Sequence, residues 1–542
     1  MQSEPSALRD FTVDRRVWLL SSIALVIGVG ATFLAVILLR LIAMSTNLFY
    51  YHRFSSVSVS PAGSSLGYWM ILVPVLGGVL VGIMARFGSD KIRGHGIPEA
   101  IEAILLNRAR VDPKIAVLKP ISAAIAIGSG GPFGAEGPII MTGGALGSLV
   151  AQWIKLTDAE RTTLLVAGAA AGMSATFATP VAAVLIAVEL LLFEWRPRSL
   201  VPVAIASATA GMLRVYLLGA GPLFPMPPVN EVHKVQFVVG ALLLGAIVGL
   251  VAAAMSRMMY AFEDLFEHLH VHWMWWPAIG GLGIGIGGLF FPRGLGVGYD
   301  NIAELLHGNA PLALIVGILV AKSLMWAFSL GSGTSGGVLA PLLMIGGSVG
   351  ALAAHLAHVS MEAQAFWALI GMGSMLAGSL GVPLTAILFS LEVTHCLPAL
   401  LPLTMGCISA YLVTALLMPR SILTEKLSRR GYHLTREYGV DPLELVIVSE
   451  LMSPVPQAEA HNTGGALPEL FAYADSTCRG AAELMATEGI ASIPVVDRAT
   501  RRVSGTLTLQ DLLRGRSRAV VRESERLRLF DHQNGAGQGE HN

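Results

Sequence analysis

The chain has 542 residues, of which 54 % are hydrophobic and 13 % are charged, and its mean hydropathy is +0.65. Soluble globular domains carry about 25 % charged residues, so this composition excludes a soluble globular protein. The 36 basic and 36 acidic residues give a formal net charge of zero, which offers no general attraction for nucleic acid or for an acidic partner. The three cysteines, Cys396, Cys407 and Cys478, are too few for a disulfide framework or a CxxC metal site.

Uncharged apolar stretches recur along the first 419 residues and predict a multi-pass membrane domain. They cover residues 17–39, 68–85, 162–188, 235–256, 271–292, 323–361, 363–391 and 393–419. Each is long enough to cross about 30 Å of hydrocarbon as a helix. The first stretch follows Arg15 and Arg16 and has no small-residue cleavage site after it. This pattern predicts a retained span preceded by a cytosolic N-terminal segment, residues 1–16.

An internal repeat divides the membrane domain into two homologous halves. A shift of 203 residues aligns residues 128–151 with residues 331–354 without a gap, and the same shift pairs Pro180 with Pro383 and Glu189 with Glu392. Gly/Pro clusters interrupt the apolar pattern at 128–138 and 331–341, and broken backbone at membrane depth must line a cavity or be buried in protein. This arrangement is typical of transporters and channels whose site lies between the halves.

Three Gly/Pro segments predict helix N-termini that together hold an anion. They are residues 94–99 (GHGIPE), 134–138 (GAEGP) and 336–341 (GGVLAP). A helix N-terminus presents unpaired N–H groups and roughly half a positive charge, so several of them can hold a halide without lysine or arginine. Proline near the first turn fits, because its missing N–H costs nothing there.

Glu136 lies within the second segment, in an otherwise uncharged run that covers residues 121–154. Intramembrane carboxylates are candidates for functional sites. Two interpretations are open. Glu136 is either a buried glutamate satisfied by neighbouring N–H groups, or a gate that occupies the anion's place when ionised and vacates it when protonated. The second interpretation couples pH or proton flux to anion movement.

The three segments resemble, in the same order, the GSGIPE, GREGP and GGIFAP signatures of the CLC family of chloride channels and chloride/proton antiporters. The resemblance covers residues 17–431, and residues 173–189 look like the family's proline-bearing helix with an acidic end. It implies an all-α integral membrane protein of two inverted halves with broken helices, which assembles as a homodimer with one anion pathway per subunit. The implied function is transport of chloride or a similar anion, with or without protons. The implied location is a lipid bilayer, namely the bacterial inner membrane, with both termini cytosolic.

The resemblance also implies roles for individual residues. Glu136 matches the external gating glutamate of the family. The anion-binding positions fall on His95, Gly96, Ile97, Gly337, Val338, Leu339 and Leu423.

Four positions depart from the family pattern. His95 replaces the anion-contacting serine, and Leu423 replaces the central tyrosine, so both hydroxyl groups of the central site are missing. Ala135 and Leu339 replace the arginine and the phenylalanine of the motifs. His95 is either an anion contact, as a neutral N–H donor or as a protonated charge, or a packed residue at a helix start.

Proton coupling depends on a position that also differs from the family pattern. The internal proton-transfer glutamate of the antiporters falls at Leu190. Glu189 beside it is either a substitute proton relay or, like its repeat mate Glu392, a structural residue. The sequence therefore does not decide between a channel and an antiporter.

The composition changes after Pro419, where 31 of the 72 charged residues lie. A linker at 432–442 is followed by residues 443–518, which resemble one cystathionine-β-synthase-type (CBS) module, a small cytosolic α/β domain, with a remnant of a second. Such modules bind adenine nucleotides, and Thr508 and Asp511 match the ribose and phosphate contacts. The alternative is a domain that stabilises the dimer. The polar residues 519–542 are predicted to be a disordered tail.

The sequence thus predicts a CLC-type channel or anion/proton antiporter gated by Glu136. The competing hypothesis is a nucleotide-sensing regulatory protein whose membrane part serves as an anchor, and the broken repeat with its carboxylate argues against it. An enzyme is not predicted, because the sequence contains no HExxH or CxxC metal-ligand motif. Chloride is expected as the transported ion, no cofactor is expected in the membrane domain, and no nucleic-acid partner is expected.

Overall fold

The computed structural model describes residues 15–228, 235–429, 431, 443, 446–454 and 468–517. The predicted linker 432–442 and the predicted tail 519–542 lie outside the described residues, as do residues 1–14 of the N-terminal segment. The chain divides into two units, Phe11–Arg436 and a second unit that contains Glu437–Asn542.

The larger unit is helical, which confirms the predicted all-α membrane domain. Its first half contains α1 (Arg16–Tyr51), α2 (Leu72–Phe87), α3 (Ile97–Leu105), α4 (Pro113–Gly128), α5 (Glu136–Gln152), α6 (Asp158–Phe177), α7 (Pro180–Ile186, followed by a π-helical turn Ala187–Leu192) and α8 (Pro197–Leu218). Its second half contains α9 (Val235–Glu267), α10 (Trp276–Phe290), α11 (Tyr299–Leu306), α12 (Leu312–Gly317), a π-helical segment Ile318–Lys322, α13 (Ser323–Gly331), α14 (Leu339–Leu356), α15 (Met361–Leu380), α16 (Pro383–Thr394), α17 (Leu400–Leu417) and α18 (Ile422–Arg429). Within the described residues, eight helical spans are long and apolar enough to cross a membrane.

The helices begin in the same way at repeat-related positions. Thr157 caps α6 and Ser360, 203 residues later, caps α15, each by accepting a hydrogen bond from a backbone N–H of the first turn. Pro180 and Pro383 begin α7 and α16, where the fixed φ of proline suits the first helical position. The repeat found in the sequence therefore extends to the helix ends.

The two halves are related by a local two-fold axis. The repeat mates Gly134 and Gly337 form an antiparallel bridge, in which the Gly134 N–H donates to the Gly337 carbonyl (3.1 Å) and the Gly337 N–H donates to the Gly134 carbonyl (2.8 Å). Equivalent residues exchange two hydrogen bonds in this way when a two-fold axis passes between them. The halves are therefore inverted relative to each other, as predicted, and the starts of α5 and α14 meet at the axis.

Glycine allows the long helices of each half to pack backbone against backbone. A Cβ on Gly143 of α5 would lie 2.3 Å from the carbonyl oxygen of Gly168 in α6. The second half repeats this contact, since a Cβ on Gly346 of α14 would lie 2.4 Å from the carbonyl oxygen of Gly371 in α15. Small residues let apolar helices approach closely, which is how helices gain contact in a membrane.

The smaller unit is a four-stranded sheet with helices, which confirms the predicted α/β CBS-like domain. Its elements are α19 (Val448–Leu451), β1 (Ser453–Pro454), β2 (Ala472–Tyr473), α20 (Cys478–Glu488), β3 (Ser492–Val496) and β4 (Val503–Thr508). The strand order is β1-β4-β3-β2, with β2 parallel to β3 and the other two pairs antiparallel. Val448, Ile493, Val495 and Leu507 are buried in its core.

The glycine contact between α5 and α6 gives a test of the packing. Gly143→Ala should lower the stability of the membrane unit by about 1–3 kcal/mol, because the added methyl group meets a backbone carbonyl. Gly144→Ala is the matched control, since a Cβ there finds its nearest neighbour at 3.4 Å, an ordinary contact. Thermal unfolding in detergent measures both variants, and equal stability of the two would contradict the assigned packing.

Candidate functional site

The three predicted helix starts converge in the larger unit. Besides the two-fold bridge, the Gly336 N–H donates to the Gly94 carbonyl at 3.4 Å. Gly96, which precedes α3, has φ +90°, and a Cβ there would lie 2.5 Å from the carbonyl oxygen of Gly137. Only glycine combines this left-handed conformation with so close an approach of two backbones. The N-termini of α3, α5 and α14 therefore lie side by side.

Glu136 is the first residue of α5, and its side chain is fully buried. Its Oε1 accepts a hydrogen bond of 3.1 Å from the backbone N–H of Ala340, in the first turn of α14. Its Oε2 has no hydrogen-bond partner within the described part of the chain. Because Leu339 is the repeat mate of Glu136, the carboxylate of one half lies at the helix start of the other half. A helix N-terminus holds an anion at this kind of position.

The other predicted anion-binding residues lie around this point. His95 is buried in the loop before α3, and Gly96 and Ile97 form the start of that helix. Gly337, Val338 and Leu339 lead into α14, and Leu423 is fully buried in α18. The structure thus gathers the predicted residues of three segments, and their contact with an anion stays a prediction.

An ion pair attaches α18 to the start of α3. Lys426, one turn after Leu423, places its Nζ 2.6 Å from Oε1 of Glu99. Glu99 Oε2 accepts a hydrogen bond of 2.8 Å from the Gly96 N–H. One carboxylate therefore caps α3 and holds α18 against it, so the position of Leu423 depends on this pair.

Two buried lysines fix the loops that precede the short helices α3 and α11, and sequence reasoning missed them. Lys119 Nζ donates to the carbonyls of Ile92 and Gly94, each at 2.8 Å. Lys322 Nζ donates to the carbonyls of Gly296 (3.0 Å) and Val297 (3.3 Å). The two lysines are 203 residues apart, so the repeat extended upstream of residue 128 would have found them. Each brings an amino group with several hydrogen-bond donors into the membrane domain beside the broken helices.

Glu189 and Glu392 cap each other's helices across the local two-fold axis. The Glu189 carboxylate accepts hydrogen bonds from the backbone N–H groups of Leu384 (3.2 Å) and Thr385 (2.8 Å) and from the Thr385 hydroxyl (2.6 Å). The Glu392 carboxylate accepts from the N–H groups of residues 181 and 182 at 3.0 and 2.8 Å. This reciprocal geometry supports the structural interpretation of Glu189.

Thr508 and Asp511 lie in the smaller unit and satisfy each other. Asp511 Oδ2 accepts hydrogen bonds from the Thr508 N–H (3.0 Å) and hydroxyl (2.6 Å), and the Thr508 hydroxyl accepts from the Asp511 N–H (3.2 Å). This pattern is a capping box for the helical residues 509–517. A nucleotide at these residues stays a prediction.

A cavity of about 530 Å³ opens beside the start of α3. Its lining includes Gly94, Glu99 and Lys426, so it reaches the segment that carries His95. Its charged side chains are of both signs: Asp90, Lys91, Arg93, Glu99, Glu102, Arg110, Asp112, Glu263, Glu267, Lys426 and Arg429. A cavity with charges of both signs, the vestibule, thus lies against α3 and α18.

Comparison with known proteins agrees with this architecture. The family model "Voltage gated chloride channel" matches residues 76–415, and the CBS domain model matches residues 448–518. The H(+)/Cl(-) exchange transporter ClcA of Citrobacter koseri is 31 % identical over 390 residues, which are 67 % of this chain and 80 % of ClcA.

Two solved structures share the fold. A slow cyanobacterial Cl-/H+ antiporter superposes with a TM-score of 0.68 at 22 % identity, covering 77 % of this chain and 99 % of its own. A CLC-type fluoride/proton antiporter superposes with a TM-score of 0.64 at 20 % identity, covering 76 % of this chain and 98 % of its own. At these identities the superpositions establish the fold alone.

The reciprocal caps give a test of the role of Glu189. Glu189→Ala should lower stability by about 2–3 kcal/mol, because two N–H groups and a hydroxyl lose a charged acceptor. Glu392→Ala should have a comparable effect, since it removes the equivalent cap. Glu362→Ala, at an exposed site in the first turn of α15, is the control. Thermal unfolding in detergent measures all three, and an unchanged stability of Glu189→Ala together with loss of proton coupling would favour the relay.

Proposed function

Since this chain belongs to the voltage-gated chloride channel (CLC) family, we propose that it moves chloride or a similar anion across the membrane under the control of Glu136. The observation that carries the proposal is the hydrogen bond that the Glu136 carboxylate accepts from the Ala340 N–H, at the start of α14. An ionised carboxylate and a permeating anion compete for the same N–H groups, because both are negative and need the same donors. Protonation removes the charge and with it the electrostatic reason for the carboxyl group to stay.

Partial charges suit this task better than full ones. Backbone N–H groups at three converging helix starts attract an anion without an ammonium or guanidinium group that would retain it. The side chains at His95 and Leu423 differ from the family pattern, so the main-chain donors of α3 and α14 carry most of the binding. A mixed-charge vestibule on the α3 side supports hydrated access to them.

The proposal includes the assembly and location of the protein. We infer a homodimer in the bacterial inner membrane with both termini cytosolic, supported by family membership and by Arg15 and Arg16 before α1. The CBS domain then lies in the cytosol, where it tunes flux without forming the pathway, either with an adenine nucleotide at Thr508 and Asp511 or as a dimer-stabilising domain. The protein is proposed to be a transporter without enzymatic activity, and the family match does not favour the competing nucleotide-sensor hypothesis.

The gate can be tested with a substitution that removes charge and keeps shape. Glu136→Gln should keep anion flux on at all pH values, because an amide cannot ionise and has no charge to compete with the anion. In proteoliposomes the parent protein should conduct more anion as pH falls from about 7.5 to 4.5, because protonation of Glu136 removes the charge that competes with the anion. The variant should lose that pH response.

Glu362→Gln provides the control for the gate experiment, because it removes an exposed carboxylate in the first turn of α15. Its flux should retain the full pH response of the parent. If Glu136→Gln folds and its flux retains that response as well, then Glu136 is not the gate and the proposed function is wrong.

The site also predicts the degree of proton coupling. Leu190 is apolar and buried where the antiporters carry the internal glutamate, and both carboxylate oxygens of Glu189 accept hydrogen bonds from α16. We therefore expect the reversal potential in proteoliposomes to follow the chloride gradient and to ignore a proton gradient. A reversal potential that moves with the proton gradient would instead establish exchange, as in the named relatives, through another relay.

A further inference from the structure

Two buried polar atoms near the gate lack partners and are chemically complementary. The hydroxyl oxygen of Tyr299, the first residue of α11, is buried and has no hydrogen-bond partner among the residues that the structure describes. The same holds for Oε2 of Glu136. Gly96 and Gly137 lie in close contact, and their repeat mates are Tyr299 and Ala340. The start of α11 accordingly packs against α14, where the Ala340 N–H holds the Glu136 carboxylate. Unsatisfied buried polar groups are destabilising, and a phenol O–H is the donor that a free carboxylate oxygen accepts.

Aromatic neighbours fix the ring of Tyr299. The ring packs edge-on against Phe177 (centroid distance 6.4 Å, interplanar angle 84°) and against Phe224 (5.8 Å and 64°). Phe389 packs on Phe177 at 5.5 Å and extends the cluster. The phenol is therefore held in one orientation, whereas the Glu136 side chain has flexible single bonds. Between these two groups, the carboxylate is the one that moves.

The backbone of Tyr299 is fixed as well. Gly298 before it has φ +81°, and a Cβ at Gly298 would lie 2.9 Å from the Lys322 Nζ. Lys322 in turn holds the carbonyls of Gly296 and Val297. The start of α11 is therefore set by the hydrogen bonds of the buried Lys322 and by a glycine that no larger residue can replace without strain.

The local two-fold axis explains why Tyr299 lies beside the gate. Lys119 and Lys322 are repeat mates, and each holds the loop before a short helix, α3 in the first half and α11 in the second. The start of α3 packs against the backbone of Gly137, next to Glu136. The inverted repeat brings the start of α11 toward the same axis from the other side. At this position the first half has Gly96, and the second half has its repeat mate Tyr299, which carries a phenol.

We propose that the Tyr299 hydroxyl receives the Glu136 carboxylate when an anion displaces that carboxylate from the Ala340 N–H. This inference rests on the proposed gating function of Glu136. A hydrogen bond from a hydroxyl to an ionised carboxylate is about twice as strong as one between neutral groups. It therefore stabilises the displaced gate while the gate is still charged. Tyr299 is in this sense a positioning residue, and it lets anions pass at pH values at which Glu136 is ionised.

Other titratable groups surround the pair and stay constant in the test. Lys322 lies behind Gly298, and the loop of His95 packs on Gly137. Tyr50 donates its hydroxyl to the Ser129 carbonyl on the α4 side. None of these side chains is altered by a substitution at Tyr299, so a difference between variants reports the phenol hydroxyl.

Tyr299→Phe removes the hydroxyl and keeps the ring contacts with Phe177 and Phe224. Flux in proteoliposomes at pH 7.5 should fall roughly tenfold, the loss expected for a hydrogen bond to a charged group. Flux at pH 4.5 should change less than about twofold, because a neutral carboxyl group binds the phenol weakly. The result is a steeper pH response with a melting temperature that does not fall, because the removed hydroxyl has no hydrogen-bond partner among the described residues. Tyr411→Phe, which alters a part-exposed tyrosine of α17, is the control and should match the parent at both pH values.

A second background separates the gate from other roles of the hydroxyl. In Glu136→Ala, Tyr299→Phe should have no effect on flux beyond about twofold, because the carboxylate is gone. An equal loss in both backgrounds would show that the hydroxyl serves the anion or the fold, and would overturn the inference. No effect of Tyr299→Phe in the parent, while Glu136→Gln abolishes the pH response, would overturn the inference alone. A full pH response in Glu136→Gln would overturn the proposed function and this inference together.

Discussion

The exchange of two hydrogen bonds between Gly134 and Gly337 is the constraint on which the site depends. It places a two-fold axis between the starts of α5 and α14, so two helix N-termini meet where a membrane protein would otherwise have unsatisfied backbone. Symmetry alone would make these two starts equal. They differ because Glu136 and Leu339 occupy equivalent positions, so one carboxylate serves both helices. A second carboxylate at residue 339 would repel the first. Without any carboxylate at these two positions, the N–H groups would be open to the anion at every pH.

Two buried lysines and two partly buried glutamates in this membrane domain are held by main-chain groups, and both pairs follow the local two-fold axis. Lys119 and Lys322 donate to carbonyls of the loops before α3 and α11, and Glu189 and Glu392 accept from N–H groups at helix starts. An isolated charge in hydrocarbon is expensive. Broken helices supply the dipoles that offset this cost, since each break exposes backbone donors and acceptors. The interruptions that we propose as the anion site therefore also provide the main-chain partners of these charged side chains.

Sequence patterns predicted the parts of the site that glycine and proline encode. The 203-residue repeat, the three helix starts and the buried Glu136 follow from spacing and from the absence of other charges nearby, and the helical fold and the inverted halves agree with them. The contact of Glu136 with Ala340 could not be predicted, because it joins residues 204 apart across an axis whose position is three-dimensional. The burial of Lys322 was not predicted, because the residue lies just outside the uncharged stretch that begins at residue 323. Tyr299 belongs to no recognisable motif. Only the structure shows that its buried hydroxyl has no hydrogen-bond partner among the described residues.

The departures from the family pattern fall on side chains and spare the main chain. His95 and Leu423 lack the hydroxyls of the family's central site. Gly96, next to His95, still packs on Gly137, and Gly337 still exchanges hydrogen bonds with Gly134. Substitution can remove a side-chain donor, whereas it cannot remove a backbone N–H except by proline. A site built on helix starts therefore tolerates changes in its side chains as long as its glycines hold the helices in place. The hydroxyl of Tyr299 in α11 does not restore these donors, because in our proposal it binds the displaced carboxylate of Glu136 and not the anion.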